Sequence, residues 1–494
     1  MLPTPPSPDQ NPKPKRRAGL AFWMHAVLAE CDRVRLDFAA DPVHDLRVAL
    51  RRCRSMADGL MVIDPDKNWK AMKRAGRPLF RALGELRDVQ VMTEEVQHLG
   101  ASDDPVARTL VNYAAFREPE LKRKAFTALE EFDRQRWSSW CEELPRRAAR
   151  VRVGSAVFKH MALERWTEAR ELHRQAFRSR SQVAYHRLRI GLKRFRYTVE
   201  NFLPELHQLW KDDLKQLQDL LGEVHDLDVL WVRAVQLNAF PDVESRTRWR
   251  ARITEERHQR IARYRQKMVG EQSLWNLWRA ALPEGKQIEA AGLSRLRIWA
   301  SFLDPDPAHS TQVADLAIQL FDRLAGAGLQ TEGAAPRLRE ILRVAALMHD
   351  VGRSKGNRSH HKKSCDLISR LKPPLGWTAE ELQMVGIVAR YHRGAFPQLR
   401  HQKLSQWSAV QKAQVLRLAA ILRLANAFDS TRDGRIRRLE VRNQNGLLEI
   451  AAQGYSAQDR MAKKIAGGRH LLELVYRRPV MVKPLRIVKR VAGS

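Results

Sequence analysis

Apolar residues recur every three or four positions from Ala18 to about Leu282, in long segments rich in Leu, Ala, Arg and Glu. This spacing keeps apolar side chains on one face of an α-helix and predicts helices throughout the region. Turn-forming sequences are sparse, and no stretch alternates apolar and polar residues as a half-buried strand does. The N-terminal half is therefore expected to be wholly helical.

The helical pattern resumes from about Ser294 to Phe428, and a different pattern follows it. Two short apolar runs flank Asn445-Gly446, a dipeptide typical of a β-hairpin. A short helix near 470–476 and a strand at 480–482 would complete a small α+β cap. The predicted fold class is mainly α: a pseudo-symmetric duplicated helical bundle, then an all-α domain with a small α+β C-terminal cap.

A chain of 494 residues is too long for one hydrophobic core, so several domains are expected. We predict a disordered basic tail, a first helical domain, a linker that starts at Pro283-Glu-Gly285, a second helical domain and the cap. These segments comprise residues 1–17, 18–282, 283–293, 294–435 and 436–494, respectively.

The chain is strongly basic, with 88 Lys and Arg against 56 Asp and Glu and a net charge of +32. Such an excess favours nucleic acid, inorganic polyphosphate or an anionic membrane surface as the partner. No apolar run approaches the roughly 18–20 residues of a membrane-spanning helix. The four cysteines contain no C-x-x-C pair, which indicates a reducing compartment such as the cytoplasm.

One basic pattern occurs twice, at His44–Arg54 and at His186–Arg196. Each copy is followed by L-G-x-x-x-D, at 83–88 and 221–226, so we interpret the region as a duplicated helical unit. At about 100° per residue, the cations of each copy share an arc of roughly 80° opposite the apolar residues. The candidate anion-binding residues are His44, Arg47, Arg51, Arg54, Lys73, Arg77, His186, Arg189, Lys193, Arg196, Lys211 and Lys215.

Like charges at this spacing repel one another, so a stripe without carboxylates indicates an anionic ligand. An ordinary solvated helix face is the alternative. The stripes contain little that could stack on or read a nucleic-acid base, which favours a bare phosphate chain and leaves nucleic acid as a non-specific partner.

The two copies of H-x-x-R-(V/I)-x-x-(R/K)-R-x-R, each followed by L-G-x-x-x-D, resemble the CHAD domain, a conserved-histidine α-helical domain. The resemblance spans about residues 18–282. It implies a two-fold pseudo-symmetric bundle that binds inorganic polyphosphate in a basic central channel lined by the motif cations. Asp212 and Asp213 intrude after the second copy, so we expect an asymmetric channel.

Histidines and aspartates of the C-terminal half lie where buried helix faces continue. Apolar faces at 313–320, 338–345, 382–389 and 418–425 adjoin His309, His349-Asp350, His392 and Asp429. Buried ionisable groups need partners, and a shared divalent ion such as Mn, Mg, Fe or Zn would provide one and activate water towards phosphorus. Core histidines without a metal are the alternative.

The H…HD…D arrangement resembles the HD superfamily of metal-dependent phosphohydrolases. Segments 309–313, 345–352, 361–364 and 389–393 more closely resemble the HD-like C-terminal domain of the Ppx/GppA family. The resemblance implies His309, His349, Asp350 and Asp429 as metal ligands and Asp350, His361 and His392 as catalytic residues, with His361 and His392 at a second metal or the scissile phosphate. Of the nearby cations, Arg353 and Arg393 could hold substrate phosphates, with an ordinary surface role as the alternative. We find no counterpart of that family's actin-like ATPase-fold domains, so hydrolysis does not follow from the resemblance alone.

The leading prediction is a polyphosphate-binding protein whose HD-like domain is a metal-dependent phosphohydrolase acting on polyphosphate or on phosphate esters or anhydrides. One alternative is a non-catalytic polyphosphate-binding scaffold, associated with polyphosphate granules. The other is a phosphohydrolase of nucleotides such as guanosine tetraphosphate. The sequence leaves the choice among the three open.

Overall fold

A computed structural model describes residues 19–36, 38–101, 103–329, 335–398, 402–405 and 407–485. The predicted basic tail, 1–17, lies outside the described residues. The chain divides between Pro283 and Glu284 into two compact units. In the ranges given above, no helix is both long and apolar enough to cross a membrane.

The first unit is helical, as predicted. Ser181 and Asp242 cap the starts of two of its helices by accepting backbone N–H groups that have no partner within the helix. The helices are α1 (Leu20–Leu36), α2 (Ala40–Leu60), α3 (Lys67–Ala75), α4 (Arg77–Leu99), α5 (Pro105–Glu130), α6 (Arg134–Ala148), α7 (Ala156–Ser179), α8 (Gln182–Phe202), α9 (Pro204–Gln236), α10 (Val243–Met268) and α11 (Leu274–Ala280).

The predicted duplication is visible in how these helices pack. Helix α1 packs on α2 as α7 packs on α8, and α4 packs on α5 as α9 packs on α10. The two basic motifs lie on α2 and α8, which contact each other. The copies differ at Gly76, which separates α3 from α4, whereas α9 runs without a break.

Aromatic packing holds the two motif helices side by side. The Phe202 ring of α8 stacks on Phe158 with centroids 4.3 Å apart. Gly59 of α2 lies against Phe202 so closely that a β-carbon at this position would overlap the ring. This close approach brings the basic faces of α2 and α8 together.

The second unit combines helices with a three-stranded sheet. Its elements are α12 (Lys286–Leu303), α13 (Pro307–Gly326), α14 (Ala335–Met348), a 3-10 helix (Val351–Lys355), α15 (His360–Ile368), α16 (Ala379–Arg390), α17 (Gln402–Ser405), α18 (Ala409–Phe428), β1 (Leu439–Gln444), β2 (Leu447–Ala452), α19 (Arg460–Tyr476) and β3 (Val480–Pro484). Most of the segment 283–293, predicted as a linker, belongs to α12. Helix α19 begins well before the predicted position near 470.

The sheet has the order β1-β2-β3, with β1 antiparallel and β3 parallel to β2. Asn445 and Gly446 both have positive φ, as the predicted hairpin turn requires. Leu439, Ile450 and Leu472 join the same apolar core as α13, α14 and α18. The cap is therefore part of the second unit's core.

Gly352 tests the packing that positions α15. Its N–H donates to Ser364 Oγ at 2.9 Å, and a β-carbon there would overlap the carbonyl oxygen of His360. Gly352→Ala should therefore displace α15 and destabilise the second unit by about 1–3 kcal/mol, measured as faster amide hydrogen exchange in α14 and α15. Gly326→Ala meets nothing within 4 Å and is the control. Unchanged exchange in Gly352→Ala would contradict the packing.

Candidate functional site

Four cations of the duplicated motifs meet in the first unit. This cationic cluster consists of Arg47 and Arg51 from α2 and Arg189 and Lys193 from α8, all partly buried. Burial, and then the charges of Arg189 and Arg51, lower the pKa of Lys193 to about 7. The structure therefore brings the two predicted stripes close enough for their charges to interact.

The cluster contains donors that lack acceptors. The Nε atoms of Arg51 and Arg189 are buried and have no hydrogen-bond partner among the described residues. Arg47 donates only weakly, at 3.2–3.3 Å, to the carbonyl oxygens of Leu83 and Gly84, and burial lowers its pKa. Buried donors without partners are costly, and a bound anion would supply acceptors.

Two carboxyl groups lie close to these cations. They belong to Asp88 and Asp226, the aspartates that end the two L-G-x-x-x-D sequences. Burial raises the pKa of both, although the charge of Arg189 opposes the rise. Part of the Asp88 side chain still reaches solvent. The motif is visible in the sequence, but no role was predicted for its aspartates.

Other predicted anion-binding residues already have partners. Arg54 donates to the Lys73 carbonyl oxygen at 3.3 Å, and the Lys73 ammonium is paired with Asp58. Arg196 Nε lies 3.8 Å from a carboxylate oxygen of Glu200. Lys73 and Arg196 are therefore partly neutralised, although Arg196 Nε, like the Nε atoms of Arg51 and Arg189, makes no hydrogen bond in the described part of the chain.

The remaining predicted residues are less involved in the cluster. His186 Nδ1 lies 3.3 Å from His225 Nδ1, and burial lowers the pKa of both rings, to about 4 for His225. Neither ring therefore adds much positive charge at neutral pH. Four of the predicted residues are exposed: His44, Arg77, Lys211 and Lys215.

The second unit gathers buried histidines around one aspartate. This histidine–aspartate cluster contains His349 and Asp350 after α14, His360 at the start of α15 and His392 after α16. Each histidine donates Nδ1–H to a backbone carbonyl three residues earlier, at 2.6, 3.0 and 2.7 Å, respectively. These bonds orient the rings and leave each Nε2 lone pair free.

The three Nε2 atoms face one oxygen of Asp350. Their distances to Oδ1 are 3.1 Å for His360, 3.7 Å for His349 and 3.9 Å for His392. His349 Nε2 is buried without a hydrogen-bond partner in the described part of the chain, and burial lowers the pKa of His349 and His392. Neutral imidazole lone pairs that face a carboxylate need a cation between them, so this donor set fits a divalent metal.

Two overlapping groups could hold such an ion, one of His309, His349 and Asp350 and one of Asp350, His360 and His392. In each group the donor atoms lie within 4.8 Å of one another.

His360 belongs to the second group, whereas its neighbour His361, predicted as a catalytic residue, does not. The His361 ring centroid is 6.4 Å from that of His392, and the ring is only partly buried. The spacing of the buried residues on α15 is the signal that sequence reasoning missed. His360 lies one and two turns before Ser364 and Ile368 and shares their buried face.

Asp429, predicted as a metal ligand, lies within hydrogen-bond distance of His309. Its Oδ2 lies 2.6 Å from His309 Nδ1, and its Oδ1 accepts the backbone N–H of Gly434 at 3.0 Å. Asp429 is in neither of the two groups. Its position suits it to orient the His309 ring.

Two guanidinium groups hold the other oxygen of Asp350. Arg353 and Arg432 donate to Oδ2 at 3.1 and 2.8 Å. Burial alone would raise the pKa of Asp350, but the hydrogen bond from Arg432 and the other positive charges around it hold the pKa far below its usual range. Asp350 is therefore ionised, with one oxygen towards the arginines and the other towards the histidines.

Comparison with protein families agrees with this arrangement. Residues 19–235 match the CHAD domain, and residues 299–458 match the Ppx/GppA phosphatase, domain III. The matches place a CHAD-like region before a region like domain III of the Ppx/GppA phosphatases, and these names are used below for the two regions. The CHAD match contains both basic motifs, and the domain III match contains the whole histidine–aspartate cluster. These matches support a polyphosphate-related, phosphatase-like protein.

The histidine–aspartate cluster of domain III opens into a cavity of about 530 Å³. His309, Asp350, His360 and His392 contribute to its lining. The lining cations are Arg353, Arg393, Arg423, Arg432, Lys463 and Lys464. Sequence reasoning singled out Arg353 and Arg393 for substrate phosphates but missed Arg423, Lys463 and Lys464, which α18 and α19 bring to the cavity.

Metal binding distinguishes the two adjacent histidines of α15. His360→Gln removes the imidazole Nε2 lone pair that faces Asp350. It should weaken the binding of Mn²⁺ by about tenfold or more. His361→Gln is the matched control and should bind the ion as the wild type does. Equilibrium dialysis followed by elemental analysis of the full chain measures both. Equal retention of Mn²⁺ by the two variants would contradict the assignment of His360.

Proposed function

We propose that the CHAD domain binds inorganic polyphosphate and that domain III holds a divalent metal ion and acts on phosphoanhydrides or phosphate esters. Polyphosphate binding is supported by one observation: Arg51, Arg189 and Lys193 lie close together, and the buried Nε atoms of the two arginines have no hydrogen-bond acceptor among the described residues. A polymer with a phosphate at every repeat can accept hydrogen bonds from the donors of both α2 and α8.

The acids near the cationic cluster are compatible with a polyanion. Asp88 and Asp226 would repel phosphate when ionised, but their raised pKa values lower the cost of protonating them. Lys193 has its pKa near neutrality and gains a proton readily beside an anion. The cluster can therefore increase its positive charge when polyphosphate binds.

In domain III, Asp350, His360 and His392 would hold the metal, with His309 and His349 next to them. Such an ion, when bound, lowers the pKa of water and polarises a phosphoryl oxygen. Arg353 and Arg432 keep Asp350 ionised, and the Nδ1 bonds keep three imidazoles oriented. Arg393 lines the cavity and would bind a substrate phosphate. We also propose a cytoplasmic location near polyphosphate granules, because the four cysteines are free.

Charge reversal tests polyphosphate binding by the CHAD domain. Arg51→Glu/Lys193→Glu in the full chain should weaken the binding of medium-length polyphosphate by about 100-fold, since two charge-assisted contacts become repulsive. A fluorescence titration at fixed salt measures the dissociation constant. Arg123→Glu/Arg263→Glu changes the net charge equally at exposed positions outside the cluster. An equal loss in both variants would show that only overall charge matters.

Phosphate release tests the enzymatic half. The full chain with Mn²⁺ or Mg²⁺ should release orthophosphate from polyphosphate, and Asp350→Ala should reduce the rate by at least about 100-fold. Guanosine tetraphosphate serves as the competing substrate. No release above Asp350→Ala with either ion would reject hydrolysis of polyphosphate and favour a binding scaffold. Release from guanosine tetraphosphate alone would favour a nucleotide phosphohydrolase.

A further inference from the structure

The two carboxylate oxygens of Asp350 face different kinds of group. Oδ1 faces the imidazole Nε2 atoms of the histidine–aspartate cluster, the nearest of them at 3.1 Å. Oδ2 instead accepts hydrogen bonds from Arg353 Nη1 and Arg432 Nη2, at 3.1 and 2.8 Å. A carboxylate that bridges two metal ions must offer one oxygen to each ion. In Asp350, one of these oxygens already has two positively charged partners.

Arg432 is held in this position by a second carboxylate and by its own backbone. Its Nη1 donates to Asp306 Oδ2 at 2.6 Å, and Asp306 caps the start of α13 by accepting the N–H of His309. The φ angle of Arg432 is +59°, a left-handed conformation that side chains other than glycine rarely adopt unless their surroundings fix it. Arg353 Nε donates to Asn357 Oδ1 at 3.2 Å. Both guanidinium groups are therefore fixed beside the cluster.

The free histidine nitrogens face the other oxygen. His360 and His392 donate their Nδ1–H groups to backbone carbonyls, and their Nε2 atoms lie 3.3 Å apart. Each of these Nε2 atoms also faces Asp350 Oδ1, at 3.1 and 3.9 Å, respectively. Two imidazole lone pairs and one carboxylate oxygen at these distances can share a single ion.

His309 is engaged at both of its ring nitrogens. Nδ1 lies 2.6 Å from Asp429 Oδ2, and Nε2 lies 3.1 Å from Asn426 Oδ1. An ion bound to His309 Nε2 would have to displace the contact with Asn426. The ligand atoms that need no such rearrangement are those around Oδ1 of the central aspartate.

We propose that domain III holds one divalent ion, at Asp350 Oδ1, and that the guanidinium groups of Arg353 and Arg432 take the place of a second ion at Oδ2. Their two fixed positive charges equal the charge of a divalent ion and repel one at short range. This single-ion arrangement rests on the proposed function only in that domain III binds a metal. The competing arrangement has a second ion, with His309 and Asp429 among its ligands.

Metal stoichiometry tests the proposal without reference to catalysis. The full chain is equilibrated with Mn²⁺, the bound ions are counted by elemental analysis, and their state is examined by electron paramagnetic resonance. Asp350→Ala measures the Mn²⁺ that is bound outside the cluster. After this correction, the wild type should bind one Mn²⁺ with the hyperfine spectrum of an isolated ion. Two ions about 3.5–4 Å apart would instead couple magnetically and broaden the signal.

Removal of both guanidinium charges should admit a second ion. Arg353→Gln/Arg432→Gln should raise the bound Mn²⁺ to about two ions per chain. Arg353→Lys/Arg432→Lys keeps both charges and should still bind one ion. Arg370→Gln/Arg437→Gln lowers the net charge equally at exposed positions outside the cavity lining and should also bind one ion. If the first variant fails to fold, the count and spectrum of the wild type decide the matter.

Two coupled ions in the wild type would overturn the single-ion arrangement and favour a second ion beside His309. A single ion in folded Arg353→Gln/Arg432→Gln would overturn the role of the arginines. No Mn²⁺ above the Asp350→Ala level would reject metal binding by domain III, and the single-ion arrangement with it. One isolated ion without phosphate release would support the arrangement and reject only the hydrolysis in the proposed function.

Discussion

Helix packing in both units holds together groups that repel one another. In the first unit, the close approach of α2 and α8 around Gly59 and Phe202 brings Arg51, Arg189 and Lys193 into one cluster. In the second, backbone carbonyls orient three imidazole rings so that their lone pairs meet at Asp350. Apolar burial elsewhere in each core stabilises these arrangements. Both sites are thereby organised for a ligand of opposite charge.

The two sites balance their charge differently. The cationic cluster has only acids with raised pKa values nearby, so its positive charge grows as those acids gain protons. In the histidine–aspartate cluster, Asp350 stays ionised because two arginines bind it. The first arrangement suits a polyanion and the second a metal cation. The cavity in the second unit has both features, because cations such as Arg393 and Lys463 lie beside the metal-binding donors. It therefore contains groups that could contact a phosphate as well as groups that could hold a metal ion.

Much of this organisation could be predicted from the chain. Helical periodicity, the Asn445-Gly446 hairpin and the duplicated basic motif all depend on short-range patterns. Prediction was less successful where two alternatives differ only in direction. His360 and His361 are neighbours whose side chains point about 100° apart, and α15 packs so that His360 faces inward. Asp429 stays a predicted metal ligand, and the fold adds that its Oδ2 lies 2.6 Å from His309 Nδ1.

The sequence by itself determined the helical fold, the two-part architecture and the kinds of chemical group available, because residue spacing and residue type suffice for these. Only the tertiary structure decided which groups meet. Lys463 and Lys464 are distant in sequence from His309 and Asp350, yet α19 brings them to the same cavity because Gly468 lets it pack closely on Ala427 of α18. Contacts of this kind arise from the packing of whole helices, which no local pattern encodes.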